Sequence, residues 1–297
     1  MTDDNPTHRP VPLPLAFGVA ALGILVFSGM DAVMKGLVIT LGVYTTMVWR
    51  SVVGILVSGA LYASLRSPWP SRTAMRLHVL RGIVSTVMAL AFFWGLARVP
   101  MAQAIALAFV APILSLFLAA LILKERVPTG SVIACVCAAV GVGLILTGQA
   151  RAALGADAFE GTIAVLASAV CYAFNIVLMR AQAQVAAPIE VAFWQSVIVG
   201  VCLAPAAPCF ASVPAVEHWP VIAGAAVLAV TSLLLLGWAY RHGPASYLAP
   251  TEYTSFVWAA ILGWLVFGET LSPWTLAGAA AIVAGSLVAA RSKPVVV

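Results

Sequence analysis

Apolar runs long enough to cross a bilayer follow one another along almost the whole chain, and little polar sequence separates them. A helix needs about 20 residues to span hydrocarbon. Runs punctuated by charge, Pro and Gly predict spans at 14–38, 43–64, 75–97, 101–123, 129–148, 160–180, 189–209, 218–240, 245–267 and 273–291. They are too long and too uniformly apolar for barrel strands, which alternate over about ten residues. Composition excludes the soluble alternative. Of the 297 residues, 63% are hydrophobic and 8% charged, so a water-facing exterior would lack polar cover. The expected fold is therefore an all-α integral membrane protein of ten transmembrane helices.

The ends and loops are read the same way. Residues 1–13 form a short polar tail; the first apolar run, Leu13 to Val38, is too long for a signal peptide's core. An even number of spans puts both termini on one side. With that side cytoplasmic, eleven basic residues lie inside and four (Lys35, Arg50, Arg98, Arg151) outside, which predicts both termini in the cytoplasm of a cell whose inner membrane holds the chain. The net charge of +5 reads as orientation, not as nucleic-acid binding. The five cysteines lie in or beside apolar runs, and Cys135 and Cys137 point to different sides of one helix, so no metal is expected.

The chain resembles itself. At an offset of 144 residues Trp94 falls on Trp238, Pro100 on Pro244, Glu125 on Glu269, Gly141 on Gly285 and Pro70 on Pro214; Asp31 falls on Asn175. This predicts a first five-helix repeat at 14–148, an extracytoplasmic linker at 149–159, a second repeat at 160–291 and a tail at 292–297. Five is odd, so the second half enters the membrane from the opposite side. Two inverted five-helix repeats are a transporter architecture, with a site near the midplane between the halves.

The paired segments LFLAALILKERVPTGSVIACVCAAVGVGLIL and WAAILGWLVFGETLSPWTLAGAAAIVAGSLV, with VWRSVVG in the second span and FSGMDAVMKG in the first, carry a family likeness. Across nearly its whole length the chain resembles the EamA family of the drug/metabolite transporter superfamily, and within it the YddG-type exporters. The resemblance implies export of aromatic or other apolar amino acids by alternating access.

Charges inside hydrocarbon cost about 2.5–3.5 kcal/mol each on insertion scales, so those present invite a role. Asp31 and Lys35 are spaced to share a helix face and pair. Arg50, at similar depth on the next span, is expected to contact Asp31, either as a gate or proton-sensitive switch or as a permanent bridge. Glu252 follows Pro250, which has no N–H for the carbonyl of Ser246. The polar break it makes suits a cavity lining. Pro112 likewise frees the carbonyl of Ala108. Gln103, either a substrate contact or a helix–helix bond, joins Trp94, Tyr172, Asn175, Glu252 and Tyr253 as substrate-cavity candidates. Glu125 and Glu269 read as structural. The glycines of spans five and ten either join the halves or form a dimer face, which leaves monomer or weak dimer open.

No HExxH, GxSxG, Walker A or dinucleotide motif occurs. An enzyme, a cofactor and a nucleic-acid partner are not expected; the partners are a small molecule and the bilayer. The competing readings are a drug or other metabolite as cargo, a non-transporting scaffold, or an intramembrane enzyme.

Overall fold

The computed structural model describes residues 12–123, 129–151, 155–243 and 248–291. Among them there is helix and no strand. We label the helices α1 (Leu13–Leu41), α2 (Val43–Ser64), α3 (Arg72–Leu96), α4 (Met101–Ala108), α5 (Val110–Leu123), α6 (Thr129–Arg151), α7 (Gly155–Ala183), α8 (Pro188–Leu203), α9 (Ala207–Phe210), α10 (Trp219–His242), α11 (Thr254–Phe267) and α12 (Pro273–Arg291). Six described stretches are long and apolar enough to cross a membrane, and four shorter apolar helices accompany them. Glu125, Pro244 and Ser246, weighed above, lie outside the described residues, as do Lys124 and Arg126.

Local chemistry sets the boundaries. Ser71 caps α3 by accepting from the Ala74 N–H at 3.1 Å. Gly42 and Gly268 turn the chain with positive φ. The predicted seventh span is not one helix, because Pro205 and Pro208 break it: a 3-10 turn at Ala204–Ala206 and the short α9 follow α8. The predicted 149–159 linker region is mostly helical, since α6 runs to Arg151 and α7 starts at Gly155.

Eight stretches form a closed ring. Its order is α1, α10, α2, α8, α3, α7, the α4–α5 stretch and α11, which returns to α1. Helices α6 and α12 pack along each other and against the α4–α5 stretch. The 144-residue offset exchanges these contacts in pairs. It turns α1 on α10 into α7 on α3, and α10 on α2 into α8 on α3. It turns α1 on α11 into α7 on the α4–α5 stretch, and it maps α2 on α8 and α6 on α12 onto themselves.

Small residues permit the close crossings. A Cβ at Gly95 would meet the Gly161 carbonyl at 2.5 Å and Val165 at 2.7 Å, between α3 and α7. One at Gly141 would meet the Gly278 carbonyl at 2.6 Å, and one at Gly278 the Gly141 carbonyl at 2.6 Å. Further along, Gly148 lies against Trp274, so residue numbers rise on α6 as they fall on α12. The two helices are antiparallel, as inverted halves require, and Gly141 and Gly278 lie between the halves.

Gly95→Leu is expected to lower stability by about 1–3 kcal/mol through overpacking, whereas Gly29→Ala, where an added Cβ meets nothing within 4 Å, should be neutral. Thermal unfolding of the purified protein in detergent measures both.

Candidate functional site

The two broken helices meet. Pro112 cannot donate to the Ala108 carbonyl, and α4 ends at Ala108 while α5 begins at Val110. A 3-10 turn, Ala249–Tyr253, precedes α11. Side-chain hydroxyls take up carbonyls around this turn: Thr251 donates to Leu248 O (2.7 Å), Thr254 to Thr251 O (2.6 Å) and Ser255 to Glu252 O (2.6 Å). Phe109, at the first break, packs edge-on against Tyr253, at the second, with ring centroids 5.4 Å apart and planes at 79°. These two residues are 144 apart, so the pseudo-two-fold axis relates the partners of this pair.

One end of the ring is tied shut. The Lys35 ammonium, buried on α1, reaches across to donate to Val99 O at 2.6 Å and to the Glu269 carboxylate. The other oxygen of Glu269 accepts the Met101 N–H at 2.7 Å, at the start of α4. The ion pair thus joins α1, the α3–α4 turn and the α11–α12 turn. The expected Asp31–Lys35 pair does not form, because Glu269 and a main-chain carbonyl take the ammonium. Asp31 is 1% exposed and, among the described residues, neither its carboxylate oxygens nor the Nε of Arg50 have a hydrogen-bond partner. The two charges are electrostatic neighbours. The expected contact between them is absent: no ion pair within 4.0 Å joins them, and Arg50 Nη2 lies 4.0 Å from the Met47 sulfur.

At the opposite end no such ion pair occurs among the described residues, and Glu125, the counterpart of Glu269, lies outside them. The 144-residue counterpart of Lys35 is Met179, which is 41% exposed. On α1, seven of the nine residues from Met30 to Val38 are buried. On the matching stretch of α7, Phe174 to Gln182, Asn175 and Gln182 are the buried ones among the described side chains. The bundle closes around α1 at the Lys35 end and is looser around α7 at the other.

A hydrogen-bonded chain crosses α3, α7 and α8 near that looser end. His78 Nε2 lies 2.9 Å from the Glu190 carboxylate, and the Gln182 amide lies 2.5 Å from His78 Nδ1. The Gln182 oxygen accepts from Arg81 Nη1, and Asn175 Oδ1 accepts from Arg81 Nε at 3.0 Å. The Asn175 amide donates onward to Ser85 at 2.5 Å. Tyr172 has Arg81, Glu252 and Asp31 as electrostatic neighbours, and Tyr240 donates to Glu252 at 2.8 Å. Bonds and electrostatic proximity thus link Asp31, Arg50, Tyr172, Asn175 and Glu252 with two residues that sequence reasoning missed, Arg81 and Tyr240. Arg81 was counted only among the eleven cytoplasmic-side basic residues, although it falls within the predicted span 75–97. Its place nine residues into α3, with His78 one turn earlier, was the signal.

Trp94 and Gln103 sit elsewhere. The Arg98 guanidinium lies 3.5 Å over the Trp94 ring and donates to the Trp94 carbonyl at 2.9 Å. His242 stacks on Trp238 at 4.3 Å and lies 2.8 Å from the Trp238 carbonyl, the same device 144 residues on. Both tryptophans thus support the last turn of a helix, where a cation or polar ring meets exposed carbonyls. Gln103 donates to Thr162 at 3.4 Å, and Gln149 donates to the same hydroxyl at 2.7 Å. Of its two readings, the helix–helix bond is the one made. No group of three or more metal-ligating side chains occurs among the described residues.

Comparison with known proteins agrees with this geometry. The EamA-like transporter family model matches residues 15–147 and again 159–291, two segments offset by the same 144 residues. The chain belongs to this family and is a membrane transporter. It is 26% identical over 278 residues to the pseudopaline exporter CntI of Pseudomonas aeruginosa, covering 93% of this chain and 95% of that one. It is 28% identical over 193 residues to an uncharacterized transporter of Helicobacter pylori, covering 64% of each. A solved crystal structure matches with a TM-score of 0.62 at 19% identity, over 93% of this chain and 97% of that one, and shows the fold. The named relative is a pseudopaline exporter, and none of these matches points to YddG-type amino-acid exporters in particular.

Removing one partner of a buried ion pair leaves an unanswered charge. Glu269→Gln is therefore expected to cost about 3–5 kcal/mol. The double variant Lys35→Met with Glu269→Gln should cost less than the two single changes together. Unfolding midpoints of the four proteins in one detergent measure the coupling.

Proposed function

We propose that this EamA-family transporter exports small zwitterionic molecules of the amino-acid class, aromatic or other hydrophobic amino acids among them. The fold works as ten spans in two inverted five-helix halves, in a bacterial inner membrane with both termini cytoplasmic. Transport proceeds by alternating access. The observation that carries this reading is the unequal closure of a two-fold scaffold: Lys35 and Glu269 tie one end, and Met179 stands where a second lysine would be needed. A repeated scaffold whose ends differ in closure has the form of one state of a two-state carrier. The tied end faces outward and the looser end faces the cytoplasm, where an exporter loads.

The cargo class follows from the interior. Asp31 and Glu252 bring carboxyl groups and Arg50 and Arg81 bring guanidinium groups, so the interior offers partners of both signs. Such a lining suits a molecule carrying one charge of each sign. Tyr172, Phe109 and Tyr253 add aromatic faces for an apolar side chain. Lys35 and Asp31 act as gate elements in this scheme, Lys35 through its ion pair and Asp31 through the unpaired charge facing Arg50. A second reading, a cargo like pseudopaline, is favoured by the 26% identity to that exporter across 93% of the chain.

Purified protein in liposomes loaded with labelled amino acids, and separately with pseudopaline, tests the proposal. Efflux of an amino acid supports it; efflux of pseudopaline alone favours the second reading; flux of neither overturns export of this class. Tyr253→Ala should lower amino-acid efflux by a few-fold to about tenfold, the scale of one lost aromatic contact.

A further inference from the structure

Among the described residues Arg81 lacks the carboxylate partner that a buried guanidinium in a membrane ordinarily has. It is 8% exposed. Its Nε and Nη1 donate to the amide oxygens of Asn175 and Gln182, both neutral. Charged side chains within a bundle pair with one another or mark a substrate path. The nearby carboxylates make other bonds: Glu190 lies 2.9 Å from the His78 ring, and Glu252 accepts from Tyr240 at 2.8 Å. Arg81 Nη2 has no hydrogen-bond partner among the described residues.

The chain of bonds fixes the guanidinium in one orientation. Ser85 accepts from the Asn175 amide nitrogen, so the Asn175 oxygen faces Arg81. Gln182 donates to His78 Nδ1, so its oxygen is left for Arg81 Nη1, and the His78 proton sits on Nε2 toward Glu190. An arginine held by neutral acceptors keeps its full charge and a preset fork. Both hydrogens of Nη2 and one of Nη1 remain, enough for two parallel bonds to a carboxylate.

We infer that Arg81 is the anchor for the carboxylate of the transported molecule, positioned by Asn175 and Gln182. The molecule's ammonium faces Glu252, and Tyr172, an electrostatic neighbour of both residues, lies beside the path between them. Arg81 stands toward the looser end of the bundle, where a molecule loads. Its 144-residue counterpart is Ala225, so this anchor exists once and serves one half of the cycle. The inference rests on the export reading above and names the group that recognises the cargo's acid.

Full-length protein in liposomes is loaded with labelled L-phenylalanine, 2-phenylethylamine or 3-phenylpropionate, and efflux is followed over a concentration series. Wild type should prefer phenylalanine to phenylethylamine. Arg81→Gln should raise the KM for phenylalanine by roughly tenfold or more, the scale of a lost charge-assisted hydrogen bond, while phenylethylamine flux stays within about twofold. Arg81→Lys should restore part of the loss. Asn175→Asp gives Arg81 an internal counter-charge; it should raise both the melting temperature and the KM for phenylalanine, and it stands in for Arg81→Gln if that variant does not fold. A KM for phenylalanine unchanged in Arg81→Gln, or in Asn175→Asp, overturns the anchor and leaves export standing. Wild-type flux of none of the three probes overturns the export reading and the anchor together.

Discussion

A charge inside hydrocarbon has no water to turn to, so its energy depends on what the neighbouring helices present. This constraint organises the bundle. Lys35 is tolerated because Glu269 and the Val99 carbonyl reach it from two other segments of the ring. His78 and Glu190 answer each other between α3 and α8. Each polar contact is also a tether between helices, so the placement of charge decides which helices move together. Asp31 is answered only at longer range: it has no hydrogen-bond partner among the described residues, and Arg50 is its electrostatic neighbour.

A repeated scaffold carries these unrepeated charges. The ring contacts exchange in pairs under the 144-residue offset, and the caps on Trp94 and Trp238 are near copies. The ionisable groups are not copied. Lys35 corresponds to Met179, Asp31 to Asn175, Arg50 to Trp194 and Arg81 to Ala225. Two identical halves would close both ends equally well and give an exporter no preferred side for loading. The differences leave the helix packing, which small residues such as Gly95 and Gly141 make possible, common to both halves.

Much of the scaffold was legible without coordinates. Long apolar runs, odd-numbered halves and the phase of rare residues led to an inverted repeat, and the family match at 15–147 and 159–291 has the same offset. The breaks at Pro112 and Pro250 were also readable, because a missing N–H is a local property. Partner choice was not. Asp31 and Lys35 are four apart and share a face, yet Lys35 bonds across the ring, since Glu269 is 234 residues away in sequence and adjacent in space. Arg81 counted only toward orientation because position along a helix does not say which face meets the interior.

The amino-acid sequence by itself determined that this chain is helical, membrane-borne and internally duplicated, because those properties follow from local hydrophobicity and from residue spacing along one chain. The ring order, the tie at the Lys35 end, the meeting of Phe109 with Tyr253 and the bonds of Arg81 to Asn175 and Gln182 were decided by tertiary structure. Each depends on which faces of distant helices come together. In hydrocarbon that is settled by close packing and by the pairing of the few polar groups, and both are properties of the assembled ring.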